Sequence, residues 1–169
     1  MTINTDTVFV EGYRPGTIGR IAELHGVYYS AVLGLGLDFE GLMAREMQEF
    51  LQRYEPEREL LLTAQVDGRI IGSIAVDAVG TRMAERPDAR LRWVIVDEAY
   101  QGRGIGKELL ARALAFCKHA GYTRVFLWTV EGLPQSRALY DKAGFRVIDR
   151  FPDARYGVPR MNLQMELML

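Results

Sequence analysis

Apolar positions along the chain follow two rhythms, a period of two and a period near 3.6, and the switches between them predict its elements. Val8 and Val10 alternate with Phe9 and Glu11 in a short first strand. Pro15 suits the first turn of a helix, where a missing N–H costs nothing. Ile18, Ile21, Ala22, Leu24 and Tyr28 follow at helical spacing until Gly34 and Gly36 break it. Asp38 is placed to cap a second helix, whose stripe is Leu42, Met43, Met47, Phe50, Leu51 and Tyr54 and whose end is Pro56. Leu60 to Val66 and Arg69 to Val76 are apolar runs joined by Asp67-Gly68, a strong hairpin signal. Residues 78–90, with Gly80, Pro87 and five charges, read as an exposed connection.

The second half opens on a buried strand, Leu91 to Val96, a short polar loop and a helix. Ile105, Leu109, Ala113, Phe116 and Cys117 line one face of that helix, Lys107, Glu108, Arg112 and His119 look outward, and Gly121 ends it. Arg124 to Val130 is a further strand. Pro134 starts a short helix carrying Arg137 and Tyr140 that ends at Gly144. Phe145 to Arg150 is a strand, and Pro152, Gly157 and Pro159 mark a loop. Met161, Leu163, Met165, Leu167 and Leu169 then alternate with Asn162, Gln164 and Glu166 in a half-buried last strand. The predicted order is β-α-α-β-β-β-α-β-α-β-β, an α/β (α+β) chain.

Composition narrows the partners more than the fold. A chain of 169 residues is expected to form one domain, 1–169, burying roughly 70% of its unfolded surface. A formal net charge of -1 supplies no electrostatic footprint for nucleic acid or for a membrane surface. The single cysteine, Cys117, permits no intrachain disulfide and suits a reducing compartment. Polar residues around Asp6 and Glu11 do not form a signal-peptide pattern. No run of 18 apolar residues occurs, so the expectation is a soluble, cytoplasmic protein.

Chemistry concentrates where the strand ending at Val96 gives way to a helix. Gln101-Gly102-Arg103-Gly104-Ile105-Gly106-Lys107 interleaves glycines with side chains, keeping Cβ atoms off a run of backbone N–H groups. The first turn of a helix leaves its amides unpaired and carries partial positive charge. Together these make a cradle for a pyrophosphate, with Arg103 and Lys107 adding full charges. It is not a Walker A loop, because Gln101 stands where the first glycine belongs and Glu108 follows the lysine. Nor is it the dinucleotide fingerprint, whose third glycine would fall on Lys107 or Leu109.

The pattern resembles motif A of the GNAT superfamily of N-acetyltransferases, Gln/Arg-x-x-Gly-x-Gly/Ala. Downstream, Leu139-Tyr140-Asp141-Lys142-Ala143-Gly144-Phe145 is similar to that family's Leu-Tyr-x-x-x-Gly-Phe segment. The opening stretch with His25, Gly26, Tyr28 and Tyr29 resembles acetyltransferase domains fused behind MarR-type regulators. The resemblance implies a twisted, mixed seven-stranded sheet with helices on both faces. It also implies two parallel neighbours, Leu91 to Val96 and Arg124 to Val130, that splay apart at their ends. Acetyl-CoA would then lay its pantetheine arm along Val94, Ile95 and Val96 and its pyrophosphate on the amides of residues 101–106. Tyr140 would be the general acid, and an amine on a small molecule or peptide the acceptor. The family often has asparagine seven residues before that tyrosine; here the place is Leu133, so either Gln135 makes the contact instead or the contact is absent.

The remaining candidates are less sharply defined. Asp77, Asp97, Glu98 and Glu131 lie near strand ends and are open alternatives for the base. Tyr28 and Tyr29 fall where the family walls its acceptor pocket. His25 reads as a surface or local packing residue, and Trp93 and Trp128 as core aromatics. Cys117 reads as inert core. Arg82, Arg86 and Arg90 read as a solvated loop that could screen an acidic acceptor. No metal site is assigned, and the alternating last strand is a candidate for pairing across a homodimer. The main reading is an acetyl-CoA-dependent N-acetyltransferase; the alternative is a non-catalytic sensor that binds acyl-CoA.

Overall fold

Seven strands build a single mixed sheet in the order β1-β2-β3-β4-β5-β7-β6. The computed structural model describes residues 6–78 and 87–169. In chain order the elements are β1 (Val8–Glu11), α1 (Thr17–Leu33), α2 (Leu37–Gln52), β2 (Leu60–Val66), β3 (Arg69–Asp77), β4 (Asp88–Val96), α3 (Ile105–His119), β5 (Arg124–Val130), α4 (Pro134–Lys142), β6 (Arg146–Asp153) and β7 (Arg160–Met168). A 3-10 turn, Glu98–Tyr100, lies between β4 and α3. The predicted order of strands and helices is the observed one.

Boundaries moved where capping chemistry differs from the pattern. The N-caps of α1 and α2 are Gly16 and Gly36: Pro15, expected in the first turn, precedes α1, and Asp38 is not the cap of α2. Asp38 sits in the first turn of α2, where its charge still favours the helix dipole. At the β2–β3 hairpin, Asp67 (φ 50) and Gly68 (φ 76) both adopt the left-handed backbone that a two-residue turn of this hand demands. Asp88, Ala89 and Arg90, read as part of a loop, belong to β4, and Ala89 is fully buried. Arg82 and Arg86 lie outside the described residues. Pro152 falls inside β6, an edge strand, where its missing N–H breaks no ladder.

Helices cover both faces. On one, Leu62, Ile74, Leu91, Val125, Leu127 and Met165 pack with Ile105, Leu109, Ala113 and Cys117 of α3 and with Tyr140 of α4. On the other, Leu61, Ala75 and Trp93 pack with Ile21, Met47 and Phe50 of α1 and α2. No helix among the described residues is long and apolar enough to cross a membrane.

The central strand changes face partway along its length. Ala89 and Leu91 point toward α3, whereas Trp93 and Ile95 point toward α1 and α2. A regular strand keeps residues of one parity on one face. Trp93 breaks the alternation with φ 49, a left-handed conformation costly for a bulky side chain. The β3–β4 register slips at the same place, between Ser73 and Ala75, as a β-bulge requires. The Ser73 hydroxyl donates to the Trp93 carbonyl at 2.6 Å and anchors the bulge. Beyond it β4 bends away from β5: their parallel pairing runs only from Asp88↔Arg124 to Leu91↔Leu127.

The last strand has no free edge. β7 is hydrogen-bonded to β5 on one side and β6 on the other, so pairing of β7 across a dimer, as its alternation suggested, is corrected by the topology. The sheet edges are β1 and β6.

Candidate active site

The split between β4 and β5 opens a cleft of about 820 Å³. Val94, Ile95 and Val96 form one wall, the turn into α3 an end, and Gln135, Leu139 and Tyr140 of α4 the opposite wall. Past Leu91 the β5-facing edge of β4 has no strand partner. The Asp97 N–H turns to β3, where it donates to the Ile71 carbonyl at 2.8 Å. Alternation therefore turns the Val96 amide to the open edge.

At the end of the cleft the backbone does what the glycine spacing predicts. Gly102 (φ 74) and Gly104 (φ 83) take conformations that a Cβ would strain. The first bond of α3 runs from the Glu108 N–H to the Gly104 carbonyl at 3.0 Å. Among the described residues, the amides of residues 102–107 have no hydrogen-bond acceptor. Gly102, Gly104, Ile105, Gly106 and Lys107 all line the cleft. A Cβ on Gly106 would meet Val96 Cγ2 at 3.6 Å and Leu139 Cδ2 at 3.8 Å, so the helix start lies close against both cleft walls.

Two members of the cradle differ from the sequence expectation. The Gln101 N–H closes the 3-10 turn onto Glu98 at 3.3 Å instead of facing the cleft, while its side-chain Nε2 donates to the Val96 carbonyl at 3.1 Å. Arg103 directs its guanidinium to the Ala99 carbonyl at 3.0 Å and over the Tyr100 ring at 5.0 Å, so its side chain does not line the cleft. Only the Arg103 amide stays available. Leu133 is buried at the start of α4 and is absent from the cleft wall, whereas Gln135 is present.

A second cavity, about 200 Å³, lies across the split. Val94, Ser136 and Tyr140 line both spaces. Tyr140 is the one buried residue of α4. Its ring meets Phe145 edge-on at 5.8 Å, and Gly144 (φ 94) ends the helix immediately below. Among the described residues the Tyr140 hydroxyl has no hydrogen-bond partner. Burial pushes the phenol above its ordinary value, and the neighbouring Tyr29 adds to the shift. It stays protonated throughout the neutral range.

His25 and Tyr29 wall the second cavity. Of the two readings left open for His25, surface or local packing, the structure has the second: it is 4% exposed. Its Nδ1 lies 2.8 Å from the Ile21 carbonyl, which can only accept, so Nδ1 carries the proton and Nε2 the lone pair. Burial lowers its pKa from 6.5 to about 4. Burial likewise lifts Tyr29 to about 12. Tyr28 lies elsewhere, in a cavity of about 140 Å³ with Asp97 and Glu98.

The carboxylates proposed as bases are mostly committed to structure. Asp77 is buried between Arg53 and Arg92. Asp97 pairs with Arg20 at 2.7 Å, and exposed Glu131 pairs with Arg150 at 2.9 Å. The acids that reach the second cavity are Glu46 and Asp153, neither singled out by the sequence pattern. Trp128 is also corrected. It is 44% exposed at the cavity wall with the Arg90 guanidinium 4.1 Å from its ring, because alternation along β5 turns it from the face that Leu127 presents to the core. Cys117 is buried, and burial lifts its thiol to about 12, which suits an inert core residue.

A protein-family model described as the acetyltransferase (GNAT) family matches residues 20–145. The chain is 29% identical over 139 residues to N-acetylaspartate synthetase of Rattus norvegicus, covering 82% of this chain and 44% of that protein. It thus spans less than half the length of the curated relatives it matches. An acetyltransferase structure from Streptococcus agalactiae superposes with a TM-score of 0.76 at 21% identity, covering 98% of this chain and 100% of that one. A Salmonella typhimurium protein solved with its cofactor acetyl-CoA superposes with a TM-score of 0.72 at 18% identity, covering 98% and 95%. At such identities the superpositions speak for the fold.

Proposed function

The chain belongs to the acetyltransferase (GNAT) family, and on that premise we propose that it transfers an acetyl group from acetyl-CoA directly to a primary amine. One observation carries this reading. The buried Tyr140 stands between a long cleft and a second cavity, so a donor and an acceptor can meet at its hydroxyl without a covalent enzyme intermediate. The name of the rat relative, an N-acetylaspartate synthetase, points to the same class of product.

Acetyl-CoA fits what the cleft offers. Its diphosphate would take the free amides of residues 102–107 at a helix start, helped by Lys107. Its pantetheine arm would use the open edge at Val94, Ile95 and Val96, with Gln135 facing it. Gln101 holds the Val96 carbonyl and so fixes the end of that edge. When bound, acetyl-CoA supplies an activated thioester. With it bound, an amine nitrogen would bond to the acyl carbon as the C–S bond breaks, and the sulfur would leave as a thiolate.

The chain's own groups supply the rest. A backbone amide near Val96 on the open edge donates toward the oxygen that gains charge. Tyr140, kept protonated by burial, donates to the leaving sulfur. The amine approaches through the second cavity, where the Glu46 carboxylate, hydrogen-bonded by Arg92, is an acceptor for its proton; His25, whose pKa burial lowers to about 4, stays neutral there and is too weak a base for that role. The direct test measures thiol release from acetyl-CoA against a panel of amines, with products identified by mass spectrometry. Turnover with at least one amine supports the reading. Tight acetyl-CoA binding with no turnover against any amine would favour the non-catalytic sensor.

A further inference from the structure

The walls of the second cavity carry more positive charge than their partners can neutralise. Four guanidinium groups line it, those of Arg90, Arg92, Arg155 and Arg160, against two carboxylates, Glu46 and Asp153. Arg92 is fully engaged by Asp77 and Glu46. Arg155 is paired with Asp153 at 3.0 Å. Arg160 gives one nitrogen to Asp153 at 3.1 Å and lays its guanidinium over the Tyr156 ring, but its Nε and Nη1 are buried without a partner. Its side chain is only 7% exposed. Arg90, read from sequence as part of a solvated loop, instead sets its guanidinium over the Trp128 ring at 4.1 Å. Among the described residues no carboxylate pairs with it, and its Nε is buried without a partner.

Buried donors on a permanent cation are costly to leave unmet, because the lost hydration is not replaced. Two such groups in the walls of one cavity, the cavity that also holds Tyr140, call for an anion that arrives with the acceptor. A planar guanidinium fork matches a carboxylate in two parallel hydrogen bonds. Glu46 and Asp153 remain in the same walls, and they would repel a dianion such as a phosphate more than a single carboxylate. At about 200 Å³ the space falls below the range of drug-sized ligand pockets, so the molecule is small.

We infer that the acceptor is a small amine bearing a carboxylate, of the amino-acid class, whose carboxylate is held by Arg90 and Arg160 while its amine faces Tyr140. This rests on the acetyltransferase reading for its chemistry and on the unpaired guanidinium groups for its substrate class. Burial and the nearby Arg92 and Arg155 lower the Arg90 pKa to about 10, which leaves it a cation at neutral pH.

The test compares each amino acid with its decarboxylated counterpart: phenylalanine with phenethylamine, 4-aminobutyrate with propylamine, and phosphoethanolamine as the phosphate arm. Thiol release from acetyl-CoA should favour the carboxylated member by at least tenfold in kcat/KM. Arg90→Met keeps the packing on Trp128 and removes the fork; it should shrink that ratio at least tenfold, through KM more than kcat. Should Arg90→Met fail to fold, Arg90→Lys retains the charge, loses the fork and carries the same comparison. Equal rates within each pair, a preference for phosphoethanolamine, or a ratio unmoved in the variant would overturn the inference while leaving the acetyltransferase reading intact. If no amine is turned over, calorimetry with butyrate, a single carboxylate, decides independently. Binding that Arg90→Met weakens tenfold sustains the carboxylate site, and no binding by the intact protein ends it.

Discussion

His25 makes stability depend on pH in a direction and size that the structure fixes. The imidazole is buried and donates through Nδ1 to the Ile21 carbonyl, and its pKa falls from 6.5 to about 4. As pH drops through 6.5 the unfolded chain takes up a proton that the native state refuses until near pH 4. Stability from this group is therefore complete above about pH 6.5 and is lost progressively below it. At about 1.4 kcal/mol per unit, the shift corresponds to roughly 3 kcal/mol by pH 4. That is a large share of the ~5–15 kcal/mol typical of a domain. Urea unfolding at pH 7.5, 6, 5 and 4 would measure the slope, and His25→Asn, which keeps a donor near Nδ1 but cannot titrate, isolates the contribution. The variant should lose about 3 kcal/mol less than the parent between pH 7 and pH 4. Parallel pH profiles for the two proteins would refute the assignment of a buried, neutral imidazole.

Other perturbations separate structure from chemistry. Tyr140→Phe should lower kcat by about 100-fold while acetyl-CoA affinity by calorimetry stays within about twofold. Gly104→Ala places a Cβ on a backbone at φ 83, costing about 1–2 kcal/mol; thermal unfolding should register it together with weaker acetyl-CoA binding. Asp153→Asn removes the carboxylate that Arg155, Arg160 and Asn162 share. Stranding the buried Arg160 should cost about 3 kcal/mol in a urea titration at neutral pH. Arg155 first, and then Asn162, pull the Asp153 pKa down to about 2, so the stability its ionised form contributes is present above the ordinary carboxylate range and is lost as pH falls through about 2.

What sequence pattern reveals here is local. The Asp67-Gly68 hairpin, the half-buried strands and the glycine turn before α3 each follow from residues within a few positions of one another, and the structure has all three. Tyr140 is legible through a motif, and the structure sets it between two cavities; the acid role is the proposal made for it. The bulge at Trp93 was invisible, since nothing about a tryptophan announces φ 49; it arises from the Ser73 contact and from packing against Phe50. That bulge turns the face of β4 and begins the split on which the site depends. Arg92 and Arg160, the latter 68 positions further on, are gathered by the sheet order, which brings β4, β5 and β7 side by side. His25 fits the local-packing alternative, but helical periodicity cannot show that a packed position also walls a cavity. Ser136, one turn before Tyr140 on the same helix face, was legible by spacing and was passed over.

Binding of the acyl donor depends above all on the unpaired amides at the start of α3. Backbone N–H resonances can be followed by NMR while coenzyme A is titrated into the protein. At saturation the largest shifts should fall on residues 102–107, with a second group at Val94 and Val96. Resonances of residues 102–107 that stay in place while coenzyme A binds, or an absence of binding altogether, would contradict this reading.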